Sequence, residues 1–263
     1  MGRCRADRSG GRVPFARQLE AIAATCADAI LSVVLAPACA ACSHPLDSPT
    51  RGPICPACWA AIVPITPPVC DLCGDPLPSW RALEANGRCP RCRDRQPHIS
   101  HGRAIGAYDG ALRAIIHALK YDGRRAIAKR LAGPLTAHGR DVLDGAHIAV
   151  PVPLHRSRQR ARGFNQAAEI ARHLPIRTVL ALRRVRATPS QTDLPAERRH
   201  ENVRGAFAVR RGVRKAIVDR VVVLVDDVST TGATLEACAR ALREAGAREV
   251  RALTLARVVT RPP

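Results

Sequence analysis

One fourteen-residue stretch, Val221 to Thr234, reads VVVLVDDVSTTGAT and restricts the fold more than any other part of the chain. Val221, Val222, Val223, Leu224 and Val225 form a short apolar, β-branched run. That is how a strand buried on both faces of a parallel sheet reads. Asp226 and Asp227 are expected at the carboxyl end of this strand, followed by a hydroxyl-rich turn of Ser229, Thr230, Thr231, Gly232, Ala233 and Thr234. A helix follows, with Leu235, Ala239 and Leu242 at helical spacing and Gly246 placed to cap it. The class implied is α/β, a parallel sheet flanked by helices.

Strand, acidic pair, tight turn and helix N-terminus together suit a phosphorylated sugar. Backbone N–H groups of the turn and the positive end of the helix would hold a phosphate, and Gly232 lets the backbone approach it closely. The carboxylates cannot bind that phosphate. They suit ribose hydroxyls and a divalent cation, held directly or through water. The bland alternative is a loop in which two aspartates are solvated and the threonines cap a helix.

Eight of the eleven cysteines fall into four C-x-x-C pairs: Cys39 and Cys42, Cys55 and Cys58, Cys70 and Cys73, Cys89 and Cys92. Each pair brings two thiolates to one side of a tight turn, and two pairs complete a tetrahedral sulfur site, so eight ligands make two zincs. The first two and last two pairs are 12 and 15 residues apart, which favours a sequential pairing; a crossed pairing, with first and third pairs sharing a metal, stays open. Iron–sulfur ligation is a lesser alternative. Prolines at 37, 45, 49, 53, 56, 64, 67 and 68 break every helix in this segment, so metal must supply its order. A closed four-thiolate site has no position for catalysis, and its role is structural. The remaining Cys4, Cys26 and Cys238 are unpaired.

The chain carries 42 Lys and Arg against 22 Asp and Glu, a formal charge of +20, which makes polyanions the expected partners. Residues 1–17 are rich in Arg and Gly and read as a disordered basic tail. Leu19 to Leu35 is more apolar, but Glu20 and Asp28 argue against an export signal and for an amphipathic helix packed on the next domain. No stretch reaches the ~18 unbroken apolar residues of a membrane span. A cytoplasmic location is expected. Neither G-x-G-x-x-G nor G-x-x-x-x-G-K-[ST] occurs, which removes dinucleotide and P-loop readings.

From about His98 α/β alternation begins. Strands are expected at Ala104 to Tyr108, His147 to Val152, Val179 to Leu182 and Glu249 to Val258, with helices at Gly110 to Lys120, Arg124 to His138 and Asn165 to His173. His155, Arg156, Arg158, Arg160 and Arg162 crowd a loop that leaves a predicted strand, over the edge where open α/β folds bind ligands. A polar loop runs from Arg183 to Glu201. The three parts are thus a tail and short helix (1–36), a double zinc ribbon (37–97) and an α/β domain (98–263).

The string DDVSTTGAT resembles the phosphoribosyl pyrophosphate (PRPP) signature of type I phosphoribosyltransferases. With PVPLHRSRQRARGFNQ, SQTDLPAERRHENVRGAF, LKYDGRR and the paired cysteines, the chain resembles the ComF family, associated with competence for DNA uptake, from roughly Ala36 onward. The resemblance implies a type I phosphoribosyltransferase fold. Asp226 and Asp227 would orient PRPP and Mg²⁺, and Ser229, Thr230, Thr231, Gly232 and Thr234 would bind PRPP. Arg156 and Arg162 would contact pyrophosphate. Lys120 would contact phosphate or stand as a solvated helix-end lysine. Gln191, Arg198 and Asn202 would belong to a flexible loop that closes over PRPP, or to a structural arm.

No acceptor pocket is legible. Three functions remain compatible: an active phosphoribosyltransferase of nucleotide metabolism, a single-stranded-DNA-binding module of the uptake machinery, and a PRPP-sensing regulator, which lacks an obvious helix-turn-helix. The favoured expectation is a PRPP-binding, phosphoribosyltransferase-type protein in DNA uptake or utilisation, with single-stranded DNA and a competence helicase or another uptake protein as partners. Scarce aromatics weigh against base stacking, Trp59, Trp80, Phe164 and Phe207 being nearly the whole supply.

Overall fold

The computed structural model describes residues 15–79, 87–93, 97–121, 123–186, 203 and 205–259. The first described element is helix α1 (Phe15–Leu35), and a short helix α2 (Pro56–Ala60) follows among the cysteines. The α/β part then runs β1 (His101–Ala107), α3 (Gly110–Tyr121), α4 (Ala126–His138), α5 (Arg140–Leu143), β2 (Ile148–Pro151), α6 (Arg156–Arg162), α7 (Gln166–Ala171) and β3 (Arg177–Thr178). It continues with β4 (Leu182–Arg184), β5 (Phe207–Val209), β6 (Val221–Ser229), α8 (Ala233–Glu244) and β7 (Glu249–Arg257).

Five strands form one parallel sheet in the order β1-β7-β6-β2-β3. Its two faces have separate cores. Val223, Val225, Leu253 and Leu255 face α3, α4 and α7, while Val222, Leu224, Val250 and Ala252 face α8 and the β4–β5 hairpin. This is why β6 opens with five buried apolar residues and no polar interruption. Helix α8 ends in a Schellman arrangement. Gly246 is left-handed (φ 100°), its N–H bonds to the carbonyl of Arg243, and the Ala247 N–H bonds to that of Leu242.

Three elements depart from the sequence expectation. Strand β6 runs past Val225 to Ser229, so Asp226 and Asp227 lie within it. The cause is the neighbouring strand: Asp226, Val228 and Ser229 still pair with β7, whereas β2 stops at Pro151 opposite Val225. The expected strand Val179 to Leu182 is split. Arg177–Thr178 joins the sheet edge, and Leu182–Arg184 pairs antiparallel with β5, so the polar stretch from Arg183 begins in a strand. The basic run after β2 is helix α6, capped by the His155 side chain and ended by left-handed Gly163.

The cysteine segment clasps the edge strand β1 from both faces. Its connector caps the free edge, with the Ile65 N–H donating to the Ile105 carbonyl at 2.8 Å. The first ribbon joins the core on the α3–α4 side through Leu46 and Ile54, and Arg130 of α4 lies over the Trp59 ring. The second ribbon lies on the α8 side. There Gly74 meets Gly102 of β1 so closely that a Cβ on Gly74 would stand 2.7 Å from the Gly102 carbonyl oxygen. Asp75 of this ribbon is buried and accepts from Arg257 of β7 and from Arg91, each at 2.9 Å. Helix α1 meets the first ribbon through polar groups. Asp28 accepts from the Thr50 N–H and Ser32 donates to the Leu46 carbonyl, while Val33 and Val34 stay exposed.

The buried core of the second ribbon is Cys70, Leu72, Leu77, Cys89 and Cys92, so its sulfurs are most of its interior. Zinc chelation is therefore expected to release two metal ions per chain and to abolish amide-exchange protection across 38–79 while β6 keeps its protection. Retained protection in the chelated ribbons would contradict this. Asp75→Ala should leave Arg257 buried beside no carboxylate and cost about 3–5 kcal/mol in urea unfolding.

Candidate functional site

The sheet topology fixes where a ligand can sit. From β2 the chain passes through α6 and α7 to β3 on one side, and from β6 it passes through α8 to β7 on the other. The two connections leave in opposite directions and cover opposite faces, so a crevice opens between the carboxyl ends of β2 and β6. Val152 makes the last bond across it, its N–H donating to the Val225 carbonyl at 2.9 Å. Asp226 and Asp227 are the next residues on β6.

Neighbouring residues of a strand point to opposite faces, and the two aspartates do so. Asp227 turns towards α3, where Lys120 Nζ sits 2.9 Å from its Oδ1, and both side chains are mostly buried. Lys120, from the end of α3, is thereby a partner of the acid pair and not a solvated helix-end lysine. Asp226 turns towards α8. Its residue surface is partly exposed, but its carboxyl is enclosed by protein and accepts from the Asp227 N–H at 2.9 Å. Burial, then the charge of Asp227, push the Asp226 carboxyl up to about 8, against the opposing pull of that N–H, Lys120 and Arg184. Burial and nearby Asp226 also raise the Cys238 thiol well above its ordinary value.

The turn into α8 has the form expected for anion binding. Gly232 is the N-cap residue in the left-handed region (φ 78°), and no side chain caps the helix from that position. Thr231 Oγ1 lies 3.4 Å from the Ala233 N–H. Thr230, Thr231 and Thr234 are half-buried along this turn. Ser229 is buried, and among the described residues its Oγ has no hydrogen-bond partner.

Across the crevice, Arg162 of α6 lies over the Tyr121 ring at 5.0 Å and donates to Gln166 Oε1 at 3.2 Å. Arg156 is fully on the surface of the same helix. Asn165 caps α7, accepting from the Ala167 N–H, and also donates to the Val152 carbonyl. The structure thus brings Lys120 together with Asp227, and places Tyr121 beside Arg162. Gln191, Arg198 and Asn202 lie outside the described residues.

Two contributors were missed in the sequence. Arg184 sits on β4 within electrostatic reach of Asp226 and Arg158, and burial lowers its pKa. Tyr121, adjacent to Lys120 in the Leu-Lys-Tyr string, supplies the ring under Arg162. The string offered a signal for Tyr121; nothing local marked Arg184.

The cysteines settle into two tetrads in sequential pairing. The sulfurs of Cys39, Cys42, Cys55 and Cys58 lie within 4.8 Å of one another, as do those of Cys70, Cys73, Cys89 and Cys92. The crossed arrangement is excluded. Against the upward push of burial, the N–H groups of Cys55, Ala41 and Cys42 lower the Cys39 thiol to about 6, holding it as thiolate for a metal. Four sulfurs per site fit zinc in a closed structural role.

Residues 160–262 match the family model of the phosphoribosyl transferase domain, and residues 30–93 match that of the double zinc ribbon domain. The chain is 32% identical to Competence protein F of Haemophilus influenzae over 200 residues, covering 72% of this chain and 85% of that one. It is also 32% identical to DNA utilization protein YhgH of Escherichia coli K12 over 203 residues, 73% and 85% of the two chains. Competence protein ComFC of Bacillus subtilis is 28% identical over 207 residues, 78% and 84% of the two chains. Among the described residues no helix is long and apolar enough to cross a membrane. With a type I phosphoribosyltransferase domain behind two cysteine tetrads, and with relatives at this identity over most of their length, the chain belongs to the ComF family.

Proposed function

We propose that this protein binds PRPP with Mg²⁺ at the carboxyl end of β6 and acts in DNA uptake or utilisation. One observation carries the reading: a helix N-terminus behind a left-handed glycine adjoins an acid pair at the point where β2 and β6 part. The N–H groups of this turn, with Ser229, Thr230, Thr231, Gly232 and Thr234, would take the 5′-phosphate. Asp226 and Asp227 would accept from the ribose hydroxyls. Arg156 and Arg162 would face the pyrophosphate, and Gln191, Arg198 and Asn202 would close over the ligand and exclude water.

The donor set fits a magnesium ion, which takes hard oxygen ligands and would supply charge neutralisation at the pyrophosphate. Asp227 offers such an oxygen, at present neutralised by Lys120. With a cation at that carboxylate, Lys120 would be free to contact phosphate. Asp226 would give up its proton in the same event. Catalysis in this reading consists of positioning and charge stabilisation at C1′, with an amine or ring nitrogen of an acceptor as nucleophile.

Single-stranded DNA is the macromolecular partner that the charge of +20 favours. Arg156 and Arg160 are exposed on α6 beside the crevice. Of the candidate stacking rings, Phe164 lies under Arg125 and Phe207 under Arg184, both buried, and Trp59 lies under Arg130. Binding through phosphates with little base readout follows, and its affinity should fall steeply with salt.

Calorimetric titration of the zinc-loaded protein with PRPP and Mg²⁺ is expected to give a saturable isotherm, lost in Asp226→Asn/Asp227→Asn. Silence from well-folded wild type would overturn the proposal. The raised carboxyl of Asp226 yields a separate expectation. Between its unfolded pKa of ~3.9 and about 8 the native chain holds a proton that the unfolded chain has lost. Stability from this group is full below the unfolded value and is lost as pH rises towards 8. Asp226→Asn should flatten that decline, gaining on wild type as pH rises, in urea midpoints taken from pH 5 to 9.

A further inference from the structure

Arg162 is the last residue of α6 and Gln166 the first of α7, and each residue of the turn between them is fixed. Gly163 is left-handed (φ 74°), and its carbonyl accepts from Arg125 Nη2 at 3.1 Å. Phe164 is buried beneath the Arg125 guanidinium. Asn165 accepts from the Ala167 N–H and donates to the Val152 carbonyl, each at 3.0 Å. The turn brings Gln166 Oε1 to 3.2 Å from Arg162 Nη1. From α3, the Tyr121 ring lies under the same guanidinium at 5.0 Å, with its hydroxyl 3.4 Å from Nη2. That ring packs in turn against His117, one helical turn earlier, at 4.4 Å between centroids.

Two details separate this arrangement from ordinary packing. Both groups that hold Arg162 are neutral, and among the described residues no carboxylate pairs with it. Arg91, Arg103, Arg172, Arg251 and Arg257 are by contrast each held by an acid. An acid orients a guanidinium but also cancels its charge, whereas an amide oxygen and an aromatic face orient it and leave the charge for an anion. The second detail is the cost of Gln166. It is fully buried, and among the described residues its Nε2 has no hydrogen-bond partner. A buried amide N–H left unpaired is unfavourable, so an apolar side chain would serve the packing better. What Gln166 supplies that an apolar residue cannot is the carbonyl oxygen on Arg162.

We infer that Gln166 and Tyr121 are positioning residues, which hold Arg162 beside the crevice in its binding orientation before a pyrophosphate arrives. The inference rests on the reading of the crevice as a PRPP site. A free arginine side chain loses torsional freedom when it closes on a ligand, and fixing it in advance removes that cost from the binding step. Lys120 and Tyr121, adjacent at the end of α3, thus serve both sides of the crevice, one on Asp227 and the other on Arg162.

The test compares PRPP with ribose 5-phosphate, both with Mg²⁺, by calorimetry of the full, zinc-loaded chain. Only PRPP carries the pyrophosphate that Arg162 would face. Gln166→Met is expected to weaken PRPP by about tenfold, the order of one immobilised side chain, while ribose 5-phosphate binds as it does to wild type. Its urea midpoint should stay level or rise, because the unpaired amide is gone. Tyr121→Leu, at an exposed position, should also weaken PRPP alone, and Tyr121→Phe should restore it. In Arg162→Gln, which loses the pyrophosphate contact itself, adding Gln166→Met should weaken PRPP no further. Undiminished PRPP affinity in Gln166→Met, equal loss of both ligands, or additive losses in the double variant overturns the assignment. Wild type that binds neither ligand overturns the PRPP reading instead, and the Arg162 Nε–H resonance then decides on positioning. It should exchange slowly in wild type and broaden or vanish in Gln166→Met and Tyr121→Leu; an unchanged signal sinks the positioning role.

Discussion

The parting of β2 from β6 at Val225 is the constraint on which the rest of the site depends. Up to that residue β6 is held on both edges by parallel neighbours, and its side chains are buried valine and leucine. Beyond it, Pro151 and Pro153 bracket Val152 as the chain leaves the sheet, and β6 keeps only β7. Asp226 and Asp227 occupy the first positions where a carboxylate is not flanked by strands on both sides. One residue earlier, an acid would be fully enclosed among aliphatic groups. The sheet thus sets the acid pair at the boundary between a dry core and an open crevice, and the elevated Asp226 carboxyl is the electrostatic trace of that boundary.

The ribbons extend the same architecture at the opposite edge. An exposed parallel edge strand invites unwanted pairing, and here the connector through Ile65 covers β1 while a ribbon lies on each face. The second ribbon is secured by a buried ion pair, Asp75 with Arg257, at the carboxyl end of β7. Buried pairs add little net stability over apolar packing, but breaking one is costly, which makes them better suited to fixing a register than to strengthening a core. Asp75 is two residues from Cys73, and Arg257 pairs in register with Ser229. Cysteine tetrad, ion pair and the turn that follows β6 therefore form one continuous strip of structure.

Much of this was legible in the sequence, for identifiable reasons. The run Val221 to Val225 and the periodic Leu235, Ala239 and Leu242 report local geometry and burial together, so β6 and α8 could be read directly. Cysteine spacing favoured sequential tetrads because each pair closes locally. Relations set by distant chain could not be read. The partner of Lys120 is Asp227, from a different end of the fold, and the Leu-Lys-Tyr string carries no mark of that contact. The continuation of β6 through the acids depends on the greater length of β7, and the split of the expected strand at Val179 depends on pairing with β5. A cavity under the second ribbon is lined by segments far apart in the chain, which meet only in the fold.

Charge balance explains why the acid pair and Lys120 can coexist in so enclosed a place. With Asp226 protonated at neutral pH and Asp227 paired to Lys120, the group is formally neutral and its burial is tolerable. Two ionised carboxylates on adjacent residues would leave a net negative charge beside the N-terminus of α8 and oppose any anion brought to it. In the proposed magnesium-bound state Asp226 and Asp227 would be the carboxylates available to the cation, whose charge would favour ionised Asp226 and compete with Lys120 for Asp227. Three side chains thus share one proton and one ion pair, and that sharing lets two adjacent acids sit in an enclosed place without net charge.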